Sequence, residues 1–276
     1  MSQKPAEKPQ NTSTPLPASD REAGKAPGHW LLARVGKKVL RPGGRETTEW
    51  VINHLPVEGH AVVEFAPGLG VTAAELLARK PSSYVGVDAD ADACAITGSK
   101  LPQDDPDFRM QLGSAKETNL EAGSADVVIG EAMLTMQTDR HKLEIMREAH
   151  RILRPGGRYG IHELGLHPDN LDPVIKNRIQ KDLARAIKVN ARPLTTEEWT
   201  ALAEEAGFRV VDVYHAPMAL LEPKRMVADE GLPRTLKIIF NVLRQPEIRK
   251  RVMTMRRTFT TYADNLNAIG MVLERK

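Results

Sequence analysis

The sequence predicts an α/β fold: a seven-stranded, mostly parallel sheet with helices on both faces and a helical lid built from insertions. Three observations predict it. Short apolar, β-branched runs alternate with helical stretches along most of the chain, the pattern of strands joined by right-handed crossover helices. The first run, Val62-Val63-Glu64-Phe65, ends in a loop with the G-x-G spacing Gly68-Leu69-Gly70, before a helical stretch. The second run, Tyr84-Val85-Gly86-Val87, ends in Asp88, 20 residues beyond Gly68.

Each element has a local reason. Residues 1–28 are rich in Pro, Ser, Thr, Lys and Glu and hold no apolar run, so a disordered tail without an export signal is expected. Residues 29–60 form a helical lead-in. Trp30-Leu31-Leu32 and Val35 start a short amphipathic helix, and Leu40-Arg41-Pro42-Gly43-Gly44-Arg45 turns the chain. Thr47 or Thr48 then caps a helix over 49–55, whose Trp50, Val51 and Leu55 make an apolar stripe.

The core, 61–167, opens on the G-x-G loop. Its glycines let the backbone approach a ligand where a Cβ would collide, and the following helix, 71–79, offers free N–H groups at its start. The plainer reading is a tight βα turn without a ligand. The same residues also fit the G-x-G-x-x-G/A pattern of a nicotinamide or flavin fold. Asp88 stands where a ribose-binding carboxylate is expected, and Asp90 is better placed to cap the helix over 91–100. A third strand, 108–112, leads to Gly113-Ser114-Ala115. A fourth, 127–130, leads to Glu131. A helix over 141–153 and an Arg154-Pro155-Gly156-Gly157 turn precede the fifth strand, 159–162, which closes on His162 and Glu163.

A helical insertion follows at 168–193, where Ile175, Ile179, Leu183 and Ile187 recur every four residues. The core continues over 194–217 with a helix at 196–206 and a sixth strand at 209–214. A basic helical lid occupies 218–264, and the last strand, 269–274, lies in 265–276. The lid carries ten Lys and Arg between Leu221 and Tyr262, Lys224, Arg225, Arg251 and Arg256 among them, against Glu222, Asp229, Glu230 and Glu247. Its second stripe, Leu236, Ile239, Phe240 and Leu243, is expected to help build an acceptor pocket. The basic surface admits three readings: a rim for an anionic acceptor, contact with anionic lipid or RNA, or a solvated face with the apolar residues turned inward.

Taken in order, these motifs resemble the class I S-adenosylmethionine (SAM)-dependent methyltransferases, in the small-molecule group that includes quinone and sterol methyltransferases. The matching residues are Glu64-Phe65-Ala66-Pro67-Gly68-Leu69-Gly70, Gly86-Val87-Asp88, Ser124-Ala125-Asp126-Val127-Val128, Leu153-Arg154-Pro155-Gly156-Gly157-Arg158, and Leu194-Thr195-Thr196-Glu197-Glu198-Trp199 with Ala206-Gly207-Phe208. The resemblance covers roughly residues 46–217. It implies a Rossmann-like sheet with strand seven inserted antiparallel between five and six. It implies SAM as cofactor, held by Glu64, Ala66, Pro67, Gly68, Gly70, Asp88, Ala89, Ser114, Ala115 and Glu131. Ser114 departs from the acidic residue that often reads adenine there. Arg45 is a candidate for the SAM carboxylate or a surface arginine beside a helix start.

Composition narrows the function further. The chain has 276 residues and 41% apolar content, enough for one principal domain with additions. A formal charge of +3 is too small to imply a polyanionic partner. The single cysteine, Cys94, excludes an internal disulfide and a cysteine-cluster metal site. No apolar run reaches transmembrane length, so a cytoplasmic location is expected. No metal site is expected.

The expected function is methyl transfer from SAM to a small acceptor, partly apolar or anionic. Glu131 and His162 are the catalytic candidates, because both close strands at the cofactor edge. Two alternatives stand beside it: an RNA or protein methyltransferase using the basic lid, and a non-catalytic SAM-binding module. A nucleic-acid partner is not expected, since aromatic residues are sparse. Peripheral membrane contact and homo-oligomerisation stay open.

Overall fold

A computed structural model describes residues 15–276. Two helices and a strand lead in: α1 (Gly28–Arg34), α2 (Gly44–Asn53) and β1 (Ala61–Phe65). The alternation runs α3 (Val71–Leu77), β2 (Ser83–Asp88), α4 (Ala91–Gly98), β3 (Phe108–Leu112), β4 (Ala125–Glu131), a 3₁₀ turn (Leu134–Met136), α5 (Asp139–Ile152) and β5 (Leu153–Leu166). The remainder is α6 (Pro173–Ile187), β6 (Leu194–Thr195), α7 (Thr196–Glu205), β7 (Phe208–Pro217), α8 (Pro223–Glu230), α9 (Leu232–Leu243), α10 (Pro246–Thr261) and β8 (Leu266–Arg275).

The strands form one sheet in the order β3-β2-β1-β4-β5-β8-β7, with β6 paired to the end of β5. β8 is antiparallel to both β5 and β7, and the remaining pairs are parallel. The inserted antiparallel strand is thus where the sequence places it. The eighth strand is the two-residue β6, too short to leave a period-2 pattern. Thr195 there also caps α7 through a reciprocal bond with Glu198.

Alternation along the strands sends side chains to two cores. Val62, Val127 and Ile129 face Ile52, Leu76 and Tyr84 under α2 and α3. Val63, Phe65 and Val128 face Ile145, Trp199 and Phe208 under α5 and α7. A third cluster, including Leu31, Leu183, Leu220, Ile238, Met255 and Phe259, sits among α1, α6 and the helices between β7 and β8.

The Arg154-Pro155-Gly156-Gly157 turn is present as a bulge within β5: Leu153 pairs with Ala125 and Arg158 with Val127, the four residues between are left out of the ladder, and Gly156 takes a φ of 77°. Three expectations need correction. Residues 1–14 of the expected tail lie outside the described residues. Residues 15–27 are placed against the protein, because Arg34 binds the carbonyls of Ala18 and Arg21, and Arg251 those of Ala23 (2.7 Å), Gly24 (2.9 Å) and Ala26 (3.2 Å). Ile175 is exposed while Ile179 and Leu183 are buried. Finally, the stripe on α9 faces outward; α9 packs through Thr235 and Ile238 instead.

Two glycines set how closely α2 lies on the sheet. A Cβ on Gly160 would stand 2.6 Å from Val51 and 2.8 Å from Leu55; one on Gly270 would meet Trp50 and Val51 at 3.1 Å. Gly160→Val is expected to cost about 1–3 kcal/mol of stability through overpacking, read as a lower urea midpoint.

Candidate active site

Strand register builds the site. Phe65 lies beside Val87 and Gly130, and Glu131 beside His162. The carboxyl ends of β1, β2, β4 and β5 therefore form one edge, where open α/β sheets bind ligands. A cavity of ≈ 530 Å³ runs along it. Glu64, Ala66, Pro67, Gly68, Asp88, Ala89 and Glu131 line this cavity. Gly70, Ser114, Ala115, Arg45 and His162 stand outside its wall.

The β1 loop is held open by backbone geometry. Ala66 and Gly68 adopt φ of 53° and 57°. A Cβ added to Gly68 would come no closer than 3.7 Å to any neighbour, so that flank of the loop is free for a ligand. Gly70 acts from behind: its φ is 62°, and a Cβ there would stand 2.7 Å from Thr97 Oγ1. The Thr97 hydroxyl also donates to the Gly68 carbonyl at 3.1 Å. Asp88 accepts the Gly68 N–H at 3.1 Å and the Asp90 N–H at 3.0 Å. Burial still pushes its carboxyl above the usual range, against those backbone bonds.

Three further carboxyl groups converge here, with different fates. Burial pushes Glu64 up to about 8, while the Tyr84 hydroxyl donates to it at 2.6 Å. Glu163 is also pushed up by burial, but it accepts the Met133, Leu134 and Thr135 N–H groups and the Thr135 hydroxyl. It is committed to holding the 3₁₀ turn. Burial works against Glu131 as well, yet Arg41 and the His162 hydrogen bond outweigh it and hold the carboxyl at about 2.

The Glu131 network is closed on itself. Arg41 Nη1 lies 3.4 Å from Glu131 Oε2 and donates to Thr72 Oγ1 at 2.9 Å. The Thr72 hydroxyl donates to the same carboxylate, and the Thr48 hydroxyl does so at 2.5 Å. His162 Nδ1 is 2.8 Å from Glu131 Oε1, and its Nε2 meets the Pro42 carbonyl. His162 is fully buried behind Glu131. This geometry speaks against both residues as the substrate's base: Glu131 is a saturated, strongly acidic carboxylate, and His162 has both nitrogens engaged away from the cavity.

Two residues not singled out by sequence reasoning do line the cavity. Arg41 occupies the place expected of Arg45; Arg45 instead reaches outward to Glu49 and Glu75. Both arginines flank the same Pro-Gly-Gly turn, and only the fold decides which one points inward. His29 tilts against Trp30 with ring centroids 4.7 Å apart. Its imidazole has no hydrogen-bond partner among the described residues, and burial pushes it down to about 4. Opposite the loop, Leu183 and Ile187 of α6, Met218, Leu220, and Met255 and Phe259 of α10 form an apolar wall.

A family model described as a methyltransferase domain matches residues 62–157. An uncharacterized protein of Haemophilus influenzae is 34% identical over 251 residues, covering 90% of this chain and 98% of that protein. A putative sarcosine dimethylglycine methyltransferase from Galdieria sulphuraria superposes with a TM-score of 0.67 at 18% identity, covering 84% of this chain and 86% of that one. The Haemonchus contortus phosphoethanolamine N-methyltransferase 2, solved with SAM, superposes with a TM-score of 0.66 at 17% identity. It is covered over 56% of its length by 90% of this chain.

The chain belongs to the class I SAM-dependent methyltransferases. As in that family, SAM is the cofactor. Among the described residues of this methyltransferase, no helix is long and apolar enough to cross a membrane.

The Glu131 network also has a thermodynamic signature. Its folded pKa of about 2 lies below the usual 4.5, so its stabilisation is present above pH 4.5 and is lost as pH falls toward 2. Glu131→Gln strands Arg41 and is expected to cost about 3–5 kcal/mol at pH 7. In urea titrations at pH 7 and pH 3, the gap from wild type should narrow at the lower pH.

Proposed function

We propose that this methyltransferase transfers a methyl group from SAM to a small, partly apolar acceptor. One observation carries the reading: a single cavity joins the β1 loop and Asp88 to the apolar wall of α6 and α10. The loop end suits a polar nucleoside cofactor, and the far end suits an acceptor with little charge.

The residues present fit the cofactor. Asp88 uses one lone pair of each oxygen on backbone N–H groups, which leaves capacity for a ribose diol. Gly68 leaves space where a Cβ would stand. Arg41 Nε and Nη2 are buried without hydrogen-bond partners among the described residues, and a ligand carboxylate answers both. Glu64, Ala66, Pro67 and Ala89 complete the cradle; Gly70 shapes it from outside.

When bound, SAM carries an electrophilic methyl group on a positive sulfonium. The chain contributes position, water exclusion and proton handling. Trp30, Met255 and Phe259 line the cavity with apolar surface. Glu131 and His162 are assigned to positioning: they fix Arg41 and the turn at Pro42. His29 is the candidate for the acceptor's proton, because its imidazole lines the cavity with no hydrogen-bond partner among the described residues; burial, which pushes it down to about 4, weakens it as a base.

Two sets of variants test these roles. Asp88→Ala and Arg41→Lys should each weaken SAM binding by about ten- to a hundredfold in calorimetry, whereas Arg45→Ala should leave it unchanged. Methyl-labelled SAM incubated with the protein and an extract of its source should label the small-molecule fraction. Label confined to RNA or protein would overturn the acceptor assignment. With the labelled acceptor in hand, His29→Ala should lower turnover by about a hundredfold at unchanged SAM affinity. Equal turnover would remove His29 from proton transfer.

A further inference from the structure

The α9 helix carries an apolar face that nothing among the described residues covers. Leu232, Leu236, Ile239, Phe240 and Leu243 recur at i, i+4, i+7, i+8 and i+11, so they share one side of the helix. Each is between 43% and 57% exposed. The helix is attached by a different side, through Thr235 and Ile238, and by Asn241 donating to the Val35 carbonyl at 3.0 Å. Contiguous exposed apolar surface of this kind marks a docking site.

The charge beside the stripe selects the occupant. Lys237 and Arg244 follow the stripe residues Leu236 and Leu243, and at 100° per residue both fall on its flank away from the buried side. The Arg244 guanidinium lies 5.2 Å from the Phe240 ring centroid. Neither forms an ion pair among the described residues, nor do Arg249, Lys250, Arg256 and Arg257 on the exposed side of α10 around Met253. A second copy of the chain would set these cations against themselves across a two-fold contact. Residues 1–14 contain no Leu, Ile, Val or aromatic residue and add Lys4 and Lys8 against Glu7, so they match neither the stripe nor its charge. A surface with apolar depth and negative charge matches both.

We propose that α9 docks the protein on an anionic lipid surface. Its apolar stripe enters the head-group boundary, and Lys237 and Arg244 meet lipid phosphates. Because α10 packs against α9 and carries Met255 and Phe259 into the cavity wall, docking holds the acceptor end of the cavity beside a reservoir of apolar molecules. This last link rests on the proposed function; the docking itself does not.

Co-sedimentation of the full chain with vesicles tests it. Vesicles of phosphatidylcholine mixed with phosphatidylglycerol should retain the protein about tenfold better than phosphatidylcholine alone, less so at high salt. Both Leu236→Asp with Phe240→Asp and Lys237→Glu with Arg244→Glu should abolish that preference. SAM affinity should stay at the wild-type value in both, since these side chains lie outside the cavity, and it reports folding independently of vesicle binding. Equal retention on both vesicle types overturns the proposal. So does a wild-type dimer that Phe240→Asp dissolves, or retention on RNA that survives it.

Discussion

A buried ion pair between Arg41 and Glu131 ties the lead-in to the catalytic edge of the sheet, and much else is hung on it. Glu131 ends β4, and Arg41 precedes the turn into α2, so the pair fixes where α2 enters. His162 extends the tie by bridging Glu131 to the Pro42 carbonyl. From the other side, Glu230 accepts the Lys38 and Val39 N–H groups and Asp229 the Arg45 N–H. Residues 38–45 are therefore clasped between the sheet and α8. A buried pair is a weak source of net stability, yet it is costly to break. Its value here is registry: it lets a glycine-rich turn hold one shape beside the cavity.

The four carboxyl groups at this edge show that burial raises a carboxyl group unless a cation stands beside it. All are largely removed from water. Glu131, beside a guanidinium and an imidazole, stays ionised to about pH 2. Glu64, whose nearest donor is a phenol, is pushed to about 8. Glu163 and Asp88 rely on backbone N–H groups, and burial still prevails. A site with mixed charge states can accept a ligand that is itself cationic at one end and anionic at another.

What the sequence makes legible is what is local. The β1 loop, Asp88 and the strand order follow from periodicity, turn residues and ordered motifs, and each depends on contacts a few residues apart. Side-chain direction across the fold is different. Arg41 and Arg45 flank one turn, and it is Arg41 that lines the cavity, because α2 begins at Gly44 and carries Arg45 to its outer surface. The periodic stripe on α9 identifies a helix, but periodicity says only that a face is apolar, not which way it looks. His29 carries no signal at all, since its surroundings come from α6 and α10, more than 140 residues away. The Pro-Gly-Gly segment reads correctly as a turn, but that β5 begins before it, with Leu153 paired to Ala125, is invisible in a local window.

The placement of β8 has a consequence for the order of assembly. It sits between β5 and β7, yet it emerges from the ribosome after both, and after all three lid helices. Until it arrives, those two strands present unpaired edges, and Glu163 and Leu164, beyond the reach of β4, have nothing to pair beside. Closing the sheet thus demands contacts spanning about a hundred residues, the kind that slow folding and leave a nascent chain open to wrong pairings.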